Sequence, residues 1–322
     1  WISENLTFTD LPDKIELFKN KFKFRELTQS LFSGFYFKKV HVEDLDKIEF
    51  SELPLPFIIK PTVGFFSMGV YKVSDSKEWL TTIDLIKTEM EQIKDLYPAE
   101  VLDASSFIIE QCIEGDEFAV DAYFNELGEP VILSILHHTF SSDTDVSDRV
   151  YTTSKNIIEK NIEEFTEFVR KIGQLAVVKN FPVHIELRKN KNGNILPIEV
   201  NPMRFGGWCT TADITFQAFG FNPYLYYYKQ KKPNWFELLK GKEKKLYSII
   251  VLDNSTGLDA DRIVSFNYEK LLNAFEKPME LRKIDFQRYP VFGFLFTETR
   301  EDNFDELKRV LDSDLTEFIR MK

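Results

Sequence analysis

Residues 183–207, VHIELRKNKNGNILPIEVNPMRFGG, decide the fold, because their pattern predicts a hairpin with one apolar and one polar face. Asn192-Gly193 is a strong two-residue turn signal, since a type I′ turn needs positive φ at both central residues. A turn there predicts two polar and two apolar cross-strand pairs: Glu186 with Glu199, His184 with Asn201, Ile185 with Val200, and Leu187 with Ile198.

The polar face of this hairpin indicates a metal site. Like charges directly opposite each other destabilise a sheet, so the facing Glu186 and Glu199 predict a cation between them. Asn201, two residues beyond Glu199, shares its face and adds another oxygen. Oxygen ligands with open positions suit Mg²⁺ that holds the phosphates of a nucleotide. The alternatives are a solvated polar face and a structural Ca²⁺ site; the clean apolar face opposite favours magnesium.

Composition restricts the class of protein. A chain of 322 residues can bury one large core or two to three lobes. Its net charge of −11 argues against general binding to nucleic acids or anionic membranes. No apolar run approaches the roughly 20 residues of a membrane span. Two cysteines are too few for a disulfide framework. We therefore expect a cytoplasmic globular protein with small-molecule partners, and the sequence leaves self-association open.

Two upstream segments could serve a nucleotide. A buried strand ends at Lys60, and a Gly/Ser loop to Gly69 follows, which could present an ammonium and backbone N–H groups to phosphates. By itself, a lysine there is more typical of a simple loop boundary. The segment from Phe107 to Asp121 could offer its backbone to an adenine edge and a carboxylate to ribose hydroxyls. A surface strand with acidic flanks is the alternative.

Further candidates surround the hairpin. Arg204, just after it, could contact a phosphate or a carboxylate, and Gly206-Gly207 would let the backbone approach a ligand. We expect residues 139–153 to form a polar loop over the acceptor substrate. The substrate contacts expected there and nearby, ranked below the others, are His138, Arg149 and Tyr151.

The order of these pieces resembles the ATP-grasp superfamily. The matching pieces run from Asn20-Lys21 with Arg25, through FIIKP with its glycine loop and IIEQCIEGDE, to HIE and IEVNPMRFGG. Within the superfamily, the sequence is similar to carboxylate–amine ligases such as D-alanine–D-alanine ligase, carnosine synthase and L-amino acid ligases. The resemblance covers roughly residues 15–220.

The resemblance implies a role for each matching residue. Lys21 and Lys60 correspond to the lysines that bind the nucleotide phosphates, and Lys60 with Arg204 to the catalytic cations. The remaining ATP contacts it implies are the loop residues Gly64, Ser67 and Gly69, the adenine hinge Glu110, Gln111, Cys112 and Ile113, and the ribose carboxylate Glu117. It makes Glu186, Glu199 and Asn201 the ligands of Mg²⁺, with two ions expected and Mn²⁺ as a substitute. Relatives read Asn-Pro-Arg where Met203 intervenes here, which could displace Arg204.

The expected architecture is α+β, with two α+β lobes that hold ATP between them. We expect residues 1–15 to be the remnant or linker of a preceding domain, 16–106 the first lobe, 107–220 the second lobe, and 221–322 a small C-terminal α+β subdomain. The expected function is an ATP-dependent carboxylate–amine ligase that forms an amide through an acyl phosphate. The alternatives are a carboxylase-type or kinase-type ATP-grasp reaction and a nucleotide-binding module without turnover.

Overall fold

The structure is a computed structural model that describes residues 9–64, 69–93, 102–142 and 149–322. The helices are α1 Leu11–Lys19, α2 Lys21–Thr28, α3 Ser76–Ile93, α4 Lys155–Ala176, α5 Thr210–Phe219, α6 Pro223–Tyr228, α7 Trp235–Leu238, α8 Tyr268–Leu272 and α9 Asp305–Leu311. Short 3₁₀ helices span Val42–Lys47, Phe50–Glu52, Gly207–Cys209, Ala260–Arg262, Glu301–Asn303 and Thr316–Phe318. In the described part of the chain, no helix is long and apolar enough to cross a bilayer.

The strands form two main antiparallel sheets. They are β1 Phe37–His41, β2 Phe57–Pro61, β3 Tyr71–Val73, β4 Ser106–Gln111, β5 Asp116–Phe124, β6 Pro130–Thr139, β7 Val150–Ser154, β8 Phe181–Lys189, β9 Ile195–Pro202, β10 Lys245–Asp253, β11 Ile263–Phe266, β12 Pro278–Lys283, β13 Val291–Arg300 and β14 Ile319–Met321. The small sheet has the order β1-β4-β2-β3, and the large sheet β12-β13-β10-β7-β6-β5-β8-β9, while β11 pairs with β14. The expected α+β class is confirmed.

Each main sheet has its own apolar cover. On the small sheet, α3 packs Trp79 and Ile86 against strand residues such as Phe57. On the large sheet, α4 buries a helical stripe that includes Phe165 and Ile172. Because the apolar residues of α4 recur at helical spacing, one face of the helix covers the sheet along its whole length.

The N-terminal helical region is broken at Asn20. The apolar spacing predicts one helix over residues 13–33, but Asn20 is extended, with φ −81° and ψ 107°. Its side chain accepts hydrogen bonds from the backbone N–H groups of Phe22 and Lys23, which caps α2. The break therefore puts Lys21 at the first position of a new helix.

Strand pairing shifts the expected domain limits. The expected boundary at 106/107 cuts off the start of β4, yet β4 is a central strand of the small sheet, between β1 and β2. A division after Gln111 would keep β4 whole, and the division of the chain into lobes stays a prediction. The strands β10, β12 and β13 lie within the expected C-terminal subdomain but extend the large sheet. That segment is thus part of the large sheet as well as having an apolar cluster of its own.

The hairpin of β8 and β9 has the predicted register at its functional end. Glu186 pairs with Glu199, Ile185 with Val200, and His184 with Asn201. The fourth predicted pair is wrong, because Leu187 pairs with Pro197 and Ile198 is an extra, bulged residue. The turn also differs: only Gly193 has positive φ, and the chain closes with the N–H of Asn190 donating to the carbonyl of Asn194. The longer turn shifts the register by one residue, and the bulge shifts it back.

The expected polar loop over residues 139–153 is partly a strand. Residues 143–148 lie outside the described part, but Val150–Ser154 is β7, in the interior of the large sheet between β6 and β10. A run of Thr and Ser lacks the apolar alternation that signals a strand. This segment is a strand because β6 and β10, on either side of it, provide its hydrogen-bonding partners.

Candidate functional site

A lysine from α2 meets a carboxylate of β9, the strand that carries two of the predicted metal ligands. Lys21 holds its position because its backbone N–H donates to the carbonyl of Thr62, just past β2, at 2.8 Å. Its ammonium nitrogen lies 2.8 Å from Oε2 of Glu199, and the amide of Asn201 donates to Oε1 of Glu199 at 2.8 Å. Burial raises the pKa of Glu199, but the nearby Lys21 and Lys60 outweigh this and hold it at about 2.

A buried ion cluster holds the second predicted lysine. Lys60, on β2, lies with its ammonium 2.5 Å from Oε1 of Glu110 on the neighbouring strand β4. Oε2 of Glu110 accepts from Nε of Arg25 at 2.8 Å. Burial raises the pKa of Glu110, yet the two cations hold it at about 2. Burial lowers the pKa of Lys60, and the Glu110 carboxylate opposes that change.

The three predicted metal ligands share one face of the large sheet. Glu186 and Glu199 are cross-strand partners, and Asn201 lies two residues further along β9. In this structure the cations beside them are protein groups: Lys21 at Glu199, and His184, whose Nε2 is 3.6 Å from Oε1 of Glu186. Two carboxylates and an amide on adjacent strands are the donor chemistry that Mg²⁺ takes, so the residues fit that ion.

No group of three or more His, Cys, Asp or Glu in the described ranges has the geometry of a ready-made metal centre. The candidate set differs from such a centre because one of its three donors is an amide. The assignment of Glu186, Glu199 and Asn201 as ligands therefore stays a prediction.

A second buried cluster ties the large sheet to the loop after β9. Asp121 on β5 is fully buried, and its Oδ1 lies 2.7 Å from Nδ1 of its cross-strand partner His184. The same oxygen accepts from the backbone N–H of Gly206 at 3.0 Å. Burial lowers the pKa of His184, but its bonds to Asp121 and Glu186 outweigh this and raise the pKa to about 9. His184 is therefore a cation at neutral pH.

The predicted ribose carboxylate Glu117 is held by two neighbours. Its oxygens lie 3.0 Å from Nδ1 of His138 and 3.0 Å from Nε of Arg188. Burial raises the pKa of Glu117, but these two bonds outweigh it and lower the value. His138 is buried and stacks on Tyr151, with ring centroids 4.1 Å apart. The structure therefore places His138 and Tyr151 beside Glu117, and their expected substrate contacts stay predictions.

The residues of the predicted adenine hinge already have partners within the protein. The Glu110 side chain belongs to the buried ion cluster, and the Gln111 side chain accepts from the backbone N–H of Tyr36 at 2.9 Å. The N–H of Cys112 donates to the carbonyl of Pro56 at 3.3 Å. Arg188 donates to the carbonyl of Ile113 at 2.6 Å. The hinge was predicted as a backbone contact, and because the N–H of Cys112 and the carbonyl of Ile113 also have partners here, it stays a prediction.

The glycine loop after β2 is described only at its ends. Ser67 lies outside the described residues. Gly69 has φ +69°, and a Cβ there would lie 3.1 Å from Pro61. Gly64 would place a Cβ at an ordinary 3.4 Å from Leu102 and Pro61. Gly69 is thus needed by the backbone itself, and the predicted phosphate contacts of Gly64, Ser67 and Gly69 stay predictions.

The loop after β9 exposes Arg204. The inserted Met203 takes a positive φ of 59°, and the Arg204 side chain is exposed, with NH1 donating to the carbonyl of Phe205 at 3.0 Å. Gly206 is buried and packs closely against Thr211, since a Cβ at this position would lie only 2.2 Å from the Thr211 side chain. Gly207 is open, with no atom within 4 Å of a Cβ. Gly206 therefore has a packing role, while Arg204 and Gly207 face space that a ligand could use.

Arg149 does not reach a substrate. Its guanidinium is buried and donates to the carbonyls of Val310 and Ser313 and to the hydroxyl of Ser255, and it pairs with Asp253 at 2.8 Å. Arg149 therefore anchors the C-terminal segment, and the expectation that it contacts substrate is wrong. A loop arginine gave no sequence signal for these partners, because all of them lie more than 100 residues away.

Sequence reasoning missed two site residues, Arg25 and Asp121. Both stand inside recognised motifs but carried no assigned role. The signal that could have found them is a charged residue at a position where the neighbouring residues predict burial, since an unpaired buried charge is costly.

The fold and this interlobe site define a class of proteins that hold a nucleotide between two antiparallel sheets. A family model described as an ATP-grasp domain matches residues 53–212. The chain therefore contains an ATP-grasp domain. A comparison with curated proteins found no significant relative.

Solved structures share the fold at low identity. An L-amino acid ligase from Bacillus licheniformis superposes with a TM-score of 0.67 and 19% identity, covering 96% of this chain and 73% of that one. The biotin carboxylase domain of 2-oxoglutarate carboxylase from Hydrogenobacter thermophilus, bound to MgADP and bicarbonate, gives 0.61 at 13% identity over 100% and 73%. An N5-carboxyaminoimidazole ribonucleotide synthetase from Thermotoga maritima gives 0.58 at 16% identity over 96% and 74%.

Proposed function

We propose that the protein is an ATP-dependent carboxylate–amine ligase that forms an amide through an acyl phosphate. The observation that carries this proposal is the 2.8 Å contact between Lys21 and Glu199. This contact places the ammonium of Lys21 beside β9, the strand that bears two of the proposed oxygen ligands. A nucleoside triphosphate and its metal ion need lysine cations and oxygen ligands within a few ångströms of each other.

The nucleotide would lie between the small and large sheets. In this proposal Lys21 and Lys60 bind the phosphates, Glu117 binds the ribose, and the backbone around Cys112 and Ile113 meets the adenine. Glu186, Glu199 and Asn201 would hold Mg²⁺, with two ions proposed and Mn²⁺ as a substitute. Bound there, the metal would neutralise charge on the phosphates. When phosphates arrive, Lys21 can exchange the Glu199 carboxylate for a phosphate oxygen.

The reaction has two balanced steps. A carboxylate oxygen of the first substrate attacks the γ-phosphorus, and the bond from that phosphorus to the bridging oxygen breaks, so ADP leaves. An amine nitrogen then attacks the acyl carbon, loses a proton, and displaces inorganic phosphate. Lys60 and Arg204 would supply the positive charge that faces the transferred group. Their contribution is positioning and electrostatic stabilisation, which are the main resources of phosphoryl-transfer sites.

A bicarbonate-dependent reaction is the second candidate. The structural neighbour bound to MgADP and bicarbonate superposes almost as well as the amino acid ligase, with TM-scores of 0.61 and 0.67. The fold therefore supports both, and the identity of the carboxyl donor separates them.

Oxygen-18 transfer tests the proposal. The purified protein is incubated with MgATP and pools of amino acids and small carboxylates until one pair releases phosphate. That carboxylate is then supplied with ¹⁸O in its carboxyl group. We expect one ¹⁸O atom in the released phosphate and an amide product detected by mass spectrometry.

The matched arms of the experiment use bicarbonate and the Glu199→Gln variant. Phosphate release that needs bicarbonate in place of an organic carboxylate, with a carboxylated acceptor as product, would replace the ligase by the carboxylating alternative. Phosphate free of ¹⁸O would rule out the acyl phosphate. Turnover unchanged in Glu199→Gln would contradict the assignment of the metal strand, because that variant lowers the charge of the ligand set.

A further inference from the structure

Arg25 joins the two sheets at the candidate site, and its hydrogen-bond partners are Glu110 and two backbone carbonyls rather than the side chains of the predicted metal ligands. Its side chain is 3% exposed, and it makes three hydrogen bonds. Nε donates to Glu110 in the small sheet, while NH1 and NH2 donate to the carbonyls of Pro197 and Ile198 in the large sheet, at 2.6 and 3.2 Å. One guanidinium thus connects β4, which pairs with the strand of Lys60, to β9.

We propose that Arg25 is a positioning residue that fixes the separation of Lys60 from β9, the strand proposed to bind the metal. The proposal rests on the proposed nucleotide site and deepens it. Its readout is the binding of metal and nucleotide, which can be measured without the ligase substrates.

The bulge in β9 explains why an arginine is needed at this place. Ile198 is the extra residue of the bulge and stands directly before Glu199. A bulge disrupts the ladder locally and leaves backbone groups without their usual partners. Buried carbonyls without partners are costly, and the Arg25 fork satisfies two consecutive ones. Arg25 therefore holds the backbone next to a predicted metal ligand.

On the small sheet, Arg25 acts on Lys60 through their shared partner Glu110. Glu110 gives one carboxylate oxygen to Arg25 and the other to Lys60. The guanidinium carbon lies 4.7 Å above the ring of Phe35, which limits rotation of the group. Because the planar fork is rigid, the position of Glu110, and through it that of Lys60, is tied to the position of the bulge.

A lysine in place of Arg25 would keep the charge but could not bond all three acceptors at once. Loss of the fork should let the two sheets shift against each other. The affinity for the metal ion and the affinity for the nucleotide should therefore fall together. Removing a partner that orients metal ligands typically weakens metal affinity about 10–100-fold. A purely structural residue would instead lower the melting temperature and leave the affinity of the folded protein unchanged.

The test compares Arg25→Lys and Arg25→Met with Phe24→Leu, all in the full chain. Phe24 is the adjacent, equally buried residue of α2, and it packs against Phe18 rather than the site. The probes are Mn²⁺, followed by electron paramagnetic resonance, and β,γ-imido-ATP, followed by calorimetry, at a temperature where every variant is folded. We expect both dissociation constants to rise about 10–100-fold for the Arg25 variants and at most about twofold for Phe24→Leu.

Wild-type affinity in Arg25→Lys would overturn the proposal, and so would an equal loss of affinity in Phe24→Leu. If Arg25→Met does not fold, Arg25→Lys decides. A wild-type protein that binds neither probe would refute the proposed nucleotide site and this inference with it. A wild-type protein that binds both, next to an Arg25→Lys variant that binds as well, refutes only the role of Arg25.

Discussion

Two ion clusters lie at the candidate metal ligands, one of which, Glu186, belongs to the second cluster, and the two clusters are built in different ways. The interlobe cluster consists of Arg25, Lys60 and Glu110, and it joins the small sheet to the bulge of the large sheet. The sheet cluster consists of Asp121, His184 and Glu186, and it lies on neighbouring strands of the large sheet alone.

The two clusters differ in whether their groups can change charge when a partner is removed. The interlobe cluster sets two cations around one carboxylate, and removal of that carboxylate leaves the guanidinium of Arg25, which keeps its proton, buried without its charge partner. The sheet cluster uses an imidazole, which can become neutral by releasing a proton. The first cluster is therefore a rigid connection between lobes, whereas the second can tolerate a change of charge. Three predictions test this contrast.

The largest effect is expected on stability when each central carboxylate is neutralised. Glu110→Gln should lower the free energy of unfolding by about 3–5 kcal/mol, because breaking a buried ion pair leaves uncompensated charge. Asp121→Asn should cost about 1–3 kcal/mol, because the amide oxygen can still accept from Gly206 and His184 can lose its charge. Urea denaturation at pH 7, followed by circular dichroism, measures both values. Equal losses would remove the distinction between the clusters.

The next effect concerns turnover of ATP. Lys60→Met should reduce kcat/KM for ATP about 10²–10³-fold, the cost of losing one electrostatic group that faces the transferred phosphoryl. His184→Gln should reduce it by about 10–100-fold, since His184 acts on a metal ligand rather than on the phosphates. Phosphate release under steady-state conditions gives both values. A larger loss in His184→Gln would place the sheet cluster, not Lys60, at the reacting group.

The smallest effect is a pH dependence of stability with two separate limbs. Glu110 titrates near 2 when folded and near 4.5 when unfolded, so its stabilisation is complete above pH 4.5 and is lost as the pH falls towards 2. His184 titrates near 9 when folded and near 6.5 when unfolded, so its stabilisation is complete below pH 6.5 and is lost as the pH rises through 9.

Unfolding in urea with EDTA present, from pH 2.5 to 9.5, resolves the two limbs. Glu110→Gln should flatten the acid limb only, and His184→Gln the alkaline limb only. If either variant flattens both limbs, the clusters titrate as one unit and the comparison between them fails.

The sequence predicted the polar face of the hairpin well because the signal for it is local. Alternation along β8 and β9, with a turn signal between them, determines which residues share a face, and the observed pairs of Glu186 with Glu199 and His184 with Asn201 follow from it. The turn itself was wrong by one residue, and the bulge at Ile198 compensated. Alternation does not report a bulge, since the extra residue is defined by its partner strand.

Long-range partners were beyond the sequence. Arg149 looked like a loop residue, yet its guanidinium binds a segment 161–164 residues away. Glu110 looked like part of an adenine hinge, yet its carboxylate joins Arg25, 85 residues upstream. No periodicity relates such positions, because packing of complete elements brings them together.

The sequence by itself determined the α+β class, the polar face of the hairpin and the order of the ATP-grasp motifs, because each depends on neighbouring residues along one strand or turn. Tertiary structure decided which sheet each strand joins, which cations face Glu199 and Glu110, and how Arg25 connects the two sheets. Those outcomes depend on the cost of burying charge without a partner, and that cost exists only after the sheets have packed against each other.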